Sequence, residues 1–426
     1  MKKIRNKKER GVTLIALVVT IIVLIILAGI SINLIFGNFG IVTKSKEAKE
    51  LQKQAELNEQ IALGELSNEI DKTLGIPTQK QIKTVEELKN AGTYMTETTT
   101  LKDSNENLIK VPKGFKIAED SGKNVTEGIV IEDNDIIEGI GNNRGNQYVW
   151  IPIGIGIKKA DGTTVDITLG RYTFASNGTP TLKQNAEKYM DDSQEVLIDS
   201  YYRELPTYRQ GVASEALDGL NTTSRGKKKT DGTYEGIKSF IDSVKANGGY
   251  YIARYEASYG IDGKANSKVS NTFTSSDTAP TTRIEGMLWN HITQINAAKA
   301  CYDIYEANYT NVTTDLINSY AWDTAIVYIQ NFSGDTDYSW QDGKSINSSL
   351  TNTGTNKDEK CKINDMASNC MEYTTEYSTY TYSSNAYHCN GRGGYYYRNT
   401  SYTSYRSYDN ATYSYERGTF RFIFYM

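Results

Sequence analysis

From Val12 to Ile32 the chain runs for 21 residues without a single charge. At about 1.5 Å per residue, a helix of that length crosses a bilayer core of roughly 30 Å. Upstream stand Lys2, Lys3, Arg5, Lys7, Lys8 and Arg10 against Glu9 alone, and such a basic flank sets the N-terminus in the cytoplasm. The expectation is a single-pass anchor over residues 12–36 in the cytoplasmic membrane, with the C-terminal part of the chain extracellular. A cleaved signal peptide would carry a shorter apolar stretch ending in a small-residue site, and Ala28-Gly29-Ile30 matches that weakly.

Beyond the apolar run, residues 37–75 read as a helical stalk. Leu51, Ala55, Ala62, Leu66, Ile70 and Leu74 form a thin stripe at helical spacing, interrupted by Asn58 and Gly64. Ile76-Pro77 ends it, since a residue before proline disfavours the helical region. Residues 76–110 are rich in Thr, Lys, Asn and Glu and read as a linker with one short helical pattern around Val85–Lys89.

The other end of the chain is built differently. Fourteen of the 32 tyrosines lie between Tyr373 and Tyr425, among Ser, Thr, Asn and Gly and without a lysine, leucine or valine. Tyrosine gives large amphipathic contact area at low entropic cost, and Ser, Gly and Asn give adaptable hydrogen bonds, which is the composition of a binding surface. β-strands also favour Tyr and Thr, and both readings can hold together. Gly, Arg and Asp interrupt every run, which argues against an aggregating low-complexity tract.

A net charge of −4 gives neither nucleic acid nor an anionic membrane surface an electrostatic advantage as partner. His291 and His388 are the only imidazoles, so a multi-histidine zinc site is excluded; Cys370, His388 and Cys389 would make an irregular one. Asp335, Asp337 and Asp342 have the flavour of a calcium loop but lack its glycine and terminal Glu, so a solvated turn is expected there. No cofactor or metal is assigned. Cys301, Cys361, Cys370 and Cys389 are placed in the exported part, where disulfides can form in any of three full pairings. For Cys389 a solvent-facing or disulfide-bonded state is expected rather than a nucleophile.

Several segments in residues 111–426 are bland singly and informative in order. Gln147-Tyr148-Val149-Trp150-Ile151-Pro152-Ile153 and Gly248 through Glu256 read as strands, while Ile292 to Tyr305 and Asp315 to Ala325 read as helices. A loop, Asn364-Asp365-Met366-Ala367-Ser368-Asn369-Cys370-Met371-Glu372-Tyr373-Thr374, then Arg392-Gly393-Gly394 and Gly418-Thr419-Phe420-Arg421 complete the series. Trp150, Trp289, Trp322 and Phe420 read as core, Arg254 and Glu256 as structural charges, and Trp340 as either core or surface.

Taken together, these segments resemble the formylglycine-generating-enzyme or sulfatase-modifying-factor family, whose fold is C-type-lectin-like. The likeness spans residues 111–426 with an unmatched polar insertion at about 160–235. It implies an α+β fold. Enzymes of that family use two cysteines shortly after the Arg-Gly-Gly turn, whereas Tyr395 through Tyr405 contain none, so no enzymatic activity is expected.

Two further resemblances concern the ends. Lys8-Glu9-Arg10-Gly11-Val12-Thr13-Leu14-Ile15 is similar to the leader of type IV prepilins, which implies cleavage between Gly11 and Val12 and pilin-like partner subunits. Ala16 stands where that family usually has Glu, which favours a tip subunit or a lone anchor over a shaft. The tyrosine-rich segment, 373–417, resembles the variable segment of diversity-generating retroelement proteins. That likeness implies a framework of Arg392-Gly393-Gly394 and Gly418-x-Phe420-Arg421. The binding face it implies comprises Tyr380, Tyr382, Tyr387, Asn390, Tyr397, Asn399, Tyr402, Tyr405, Tyr408, Asp409, Asn410, Tyr413 and Tyr415.

The sequence thus leads to a membrane-anchored surface protein: a basic leader over 1–11, anchor, stalk and linker, then a lectin-like domain that binds a protein or surface ligand. Two other readings stay open at this point, a minor type IV pilin with a structural role and a divergent enzyme of the sulfatase-modifying class.

Overall fold

A computed structural model describes residues 82–135, 144–186, 196–205, 224–305 without 275 and 277, and 312–426 without 356, 383, 384 and 387. They belong to one compact unit, Ile82–Met426. The leader, the Gly11-Val12 junction, the apolar run and the stalk lie outside the described residues. Among the described residues no helix is long and apolar enough to cross a membrane.

Folded structure begins earlier than the composition suggests. Helix α1 (Val85–Ala91) carries a capping box: Thr84 accepts from the Glu87 amide while Glu87 reaches back to the Thr84 amide. Val85 and Leu88 on its inner face join the main core, as do Leu101 and Ile109 from the antiparallel pair Thr99–Lys102 and Leu108–Val111. The expected linker over 76–110 is therefore, from Ile82 on, part of the domain. Its polar residues are the outer faces of elements whose few apolar side chains point inward.

Among the described residues eleven strands make the two main sheets. In chain order they are β1 (Phe115–Ile117), β2 (Val130–Asp133), β3 (Gln147–Pro152), β4 (Tyr202–Arg203), β5 (Gly249–Ala253), β6 (Thr313–Leu316), β7 (Met371–Ser378), β8 (Cys389–Arg392), β9 (Arg406–Asp409), β10 (Gly418–Phe420) and β11 (Phe422–Tyr425). The first sheet is six-stranded and antiparallel, in the order β6-β11-β5-β3-β2-β1. The second runs β4-β7-β8-β9, with β10 pairing parallel to β7.

Helices α2 (Ile237–Asn247), α3 (Gln294–Tyr302) and α4 (Ser319–Phe332) lie between and against these sheets, so the architecture is α+β. In the six-stranded sheet Tyr148, Trp150, Tyr251 and Phe424 are fully buried, with the Trp150 and Tyr251 rings 5.0 Å apart and those of Tyr251 and Phe424 4.9 Å apart. On its other face Phe240 of α2 meets Tyr250 and Tyr425 edge-on. Aromatic rings thus pack on both faces of this sheet, each contributing a large apolar surface per residue.

The second expected helix starts later than its pattern implied. Asp315 and Leu316 belong to β6, and Asn318 caps α4 by accepting from the Ala321 amide. The insertion at about 160–235 is no separate appendage: the antiparallel pair Gly170–Phe174 and Pro180–Asn185 docks on α4, where the Gly170 amide meets Thr324 (3.1 Å) and the Tyr172 amide meets Asp323 (2.8 Å).

Candidate functional site

The tyrosine-rich segment is laid over a buried network of charge. In the register of β8 and β9, Arg392 stands directly opposite Arg406, a pairing that repels unless anions intervene. Asp323 and Glu376 supply them. Arg392 donates to Asp323 and Glu376, Arg406 donates to both carboxylates, and Arg171 from the insertion reaches Glu376 at 2.6 Å. All five side chains are essentially without solvent contact. Burial alone would raise the Glu376 pKa, but Arg406, Arg171 and Arg392 outweigh that and hold it at about 2. Glu204, close by, accepts from Thr375 (2.6 Å) and from the amide and hydroxyl of Ser319, yet burial prevails and lifts its pKa to about 7.

The Arg-Gly-Gly turn follows from close packing. Gly393 has φ of +87°, and a Cβ there would lie 2.6 Å from the Met366 carbonyl; one on Gly394 would lie 2.1 Å from the Ala367 carbonyl. The loop around Met366 is staked by carboxylates. Glu256 accepts from the Cys370 amide (2.9 Å) and from Asn369, Asp358 from the Ala367 amide (2.8 Å), and Asp365 from the Gly354 amide (2.6 Å). Arg421 pairs with Glu372 at 2.6 Å and donates to the carbonyls of Ala253 and Asn364. Arg254 pairs with Asp120 and Glu359. The expectation that Arg254, Glu256, Arg392 and Arg421 are structural agrees with these partners.

Above this layer, the expected face divides. Tyr397, Tyr413 and Tyr408 are exposed (70, 51 and 41%), as is Asn399. Tyr380, Tyr402, Tyr405, Asn410 and Tyr415 are half-buried. Asn390 and Asp409 are not on the face: Asn390 is fully buried and donates to Glu376, while Asp409 is nearly so and accepts from the Asn410 amide (2.8 Å) and the Tyr415 hydroxyl (3.3 Å). Asn390 sits on the face of β8 that carries Arg392 and turns toward the buried charges, while Asp409, paired with Cys389, turns inward on the opposite face, beside Tyr415. Tyr387 and the Tyr382 side chain lie outside the described residues.

Ring contacts gather these tyrosines into separate groups. Tyr380 stacks on Tyr408 (3.8 Å between centroids) and meets Tyr201 edge-on at 5.3 Å. Nearby on β7, Tyr377 stacks on His388 and lies under Arg203. Tyr402 packs on Trp340, and Tyr415 carries Arg417 over its ring and Tyr413 at its edge. Tyr201 and Arg203 escaped the sequence reading, being 179 and 174 residues from Tyr380 and Tyr377; a Tyr-Tyr-Arg run inside a polar insertion was the signal available. Trp150 and Trp322 are fully buried and Trp289 only partly, packed edge-on against Phe420.

All four cysteines are free and buried. Cys389 is neither solvent-facing nor disulfide-bonded, because β8 lies between β7 and β9; burial pushes its thiol pKa well up. Asp335 pairs with Lys360 at 2.7 Å. Among the described residues no group of three or more His, Cys, Asp or Glu side chains is arranged to hold a metal.

No protein-family profile matches this chain, and no curated protein matches it. Among solved structures, the crystal structure of CarF aligns with 48% of this chain and 97% of its own length, at 13% identity and a TM-score of 0.31. A likeness that low carries no argument about fold or function.

Proposed function

We propose that the chain is a membrane-anchored surface protein that binds a ligand through its tyrosine-rich segment, displayed on a C-type-lectin-like domain behind a prepilin-like N-terminus. The observation that carries this reading is the layering of one short stretch of chain. Arg392 and Arg406 are locked in a buried ion network, while Tyr397, Tyr408 and Tyr413 around them are exposed. A surface that can change while its support does not is what a diversified binding face requires, and large exposed aromatic rings are the residues that dominate binding energy. The reading needs no catalytic group, and the buried thiols offer none.

The test is a comparison of residues 373–417 among copies of this gene from sibling isolates. Substitutions are expected at Tyr380, Tyr397, Tyr402, Tyr408 and Tyr413, with Glu376, Arg392 and Arg406 constant. Changes that fall equally on both sets, or on neither, overturn diversification. Attachment of cells that survives Tyr397→Ala with Tyr408→Ala and Tyr413→Ala overturns the binding face itself.

A further inference from the structure

Against the tyrosine-rich segment, which contributes Ser414 to its lining, lies an open groove of about 1050 Å³. One wall is the loop from Arg283 to Thr293, the other is α3, and Ser414 closes one end. The loop is tied to the tyrosine-rich segment through its backbone: the His291 amide donates to the Tyr415 carbonyl (2.9 Å), and the Asn290 side chain donates to that of Glu416 (2.7 Å). His291 itself holds a left-handed backbone (φ of +48°), a conformation uncommon outside glycine, although histidine adopts it more readily than most residues.

The groove differs in charge from the rest of the chain. Lys264, Arg283 and Lys299 line it against one acidic residue, Asp303, in a protein whose net charge is −4. Lys299 is answered by Asp303 at 2.6 Å. Arg283 has no such answer. It is half-buried, makes no ion pair among the described residues, and spends its Nη2 on the carbonyls of Asn290 and His291, while its Nη1 is buried without a partner, so that its Nε edge is the part left to face the groove. The guanidinium rests over Trp289, and burial pushes its pKa down with only Tyr259 acting against that. A partly desolvated cation without a counter-charge is costly, and an arriving anion removes the cost. The N-terminus of α3, at Thr293, opens on the same space and adds positive potential.

We propose that this groove is a second binding site, taking a small ring compound that bears a carboxylate. The carboxylate answers Arg283, and the ring lies along the wall that Trp289 contributes. Volume supports a molecule rather than a lone ion, since ligand pockets commonly span about 300–1,000 Å³. Asn296 of α3 and Ser414 provide neutral hydrogen-bonding groups at the rim. The site goes beyond the proposed tyrosine-rich face, with which it shares a border but none of its contact residues.

The test uses the purified full-length chain in detergent and four probes: benzoate and glucuronate, and the uncharged amide of each. Titration calorimetry is expected to show one acid or both binding about tenfold tighter than its amide, the worth of one charge-assisted contact. Benzoate and glucuronate arms separate an aromatic acid from an acidic sugar. Arg283→Gln is expected to remove that preference. Because Arg283 also braces its own loop, Asn296→Asp supplies a second variant: it puts a carboxylate on the exposed groove side of α3, in a first turn that tolerates one, and is expected to weaken the acid about tenfold. Tyr397→Ala with Tyr408→Ala is expected to leave acid binding unchanged, so failure of the groove and failure of the tyrosine face are told apart. Equal affinity for acid and amide, no binding of either acid, acid binding that survives both groove variants, or its loss in the tyrosine variant would each overturn the proposal.

Discussion

Arg392 and Asp323 stand 69 positions apart in the chain and meet as a fully buried pair, the guanidinium donating to the carboxylate and lying over the ring of the neighbouring Trp322. Asp323 also receives Arg406 and the Tyr172 amide, so one carboxylate ties α4, β8, β9 and the insertion together.

Asp323→Asn leaves Arg392 and Arg406 short of charge in a place water does not reach. Removing one partner of a buried pair costs about 3–5 kcal/mol, and urea unfolding is expected to show a loss of that order. A loss under about 1 kcal/mol would mean that water or neighbouring carbonyls already satisfy both guanidiniums.

Tyr397→Ala and Tyr413→Ala remove exposed rings, so the same measurement is expected to move by no more than about 0.5 kcal/mol. Trp322→Ala empties a fully buried site and breaks the bond from its indole nitrogen to the Thr403 carbonyl (3.0 Å), for an expected loss of about 3–5 kcal/mol. The reverse ranking would make the tyrosines part of the scaffold.

Glu204 and Glu376 oppose one another in pH. Glu204, raised from 4.5 to about 7, holds its proton more tightly in the folded state, so its contribution is fully present below pH 4.5 and is lost as pH rises through about 7. That span corresponds to about 3 kcal/mol, and Glu204→Gln is expected to flatten the fall in stability over it. Glu376, held at about 2, contributes stability above pH 4.5 that is lost as pH falls through 2. Glu376→Gln is therefore expected to leave the neutral slope alone and to weaken the acid-side decline. Stability curves from pH 2 to 8 for the three proteins check both signs.

The four thiols are expected to be silent toward a chromogenic thiol reagent while the protein is folded, and all to react once urea unfolds it. Burial raises each pKa, that of Cys361 to about 12, so little thiolate forms at neutral pH. Rapid labelling of the folded chain would place a cysteine at the surface.

Local signals were the legible part of the sequence. Trp150 and Trp322 declare themselves by apolar neighbours, and the Thr84-to-Glu87 box, although overlooked in a polar stretch, is readable once the spacing is sought. Asn390 and Asp409 mislead for a physical reason: beside tyrosines and serines a polar residue looks exposed, and only the placement of Glu376 and Tyr415 shows what holds each inside. Arg171 is harder still, since its carboxylate partner lies 205 positions away, and no periodicity encodes such a distance.

Strand β11 is the last element in chain order, yet it lies inside the six-stranded sheet, hydrogen-bonded to β6 on one side and β5 on the other. A chain emerging N-terminus first therefore has an open gap in its largest sheet until Phe422–Tyr425 appears, with both flanking edges unpaired meanwhile. The tyrosine-rich segment is thus enclosed by strands that come after it in the chain: β10 pairs with β7 beneath it, and β11 fills the gap between β5 and β6.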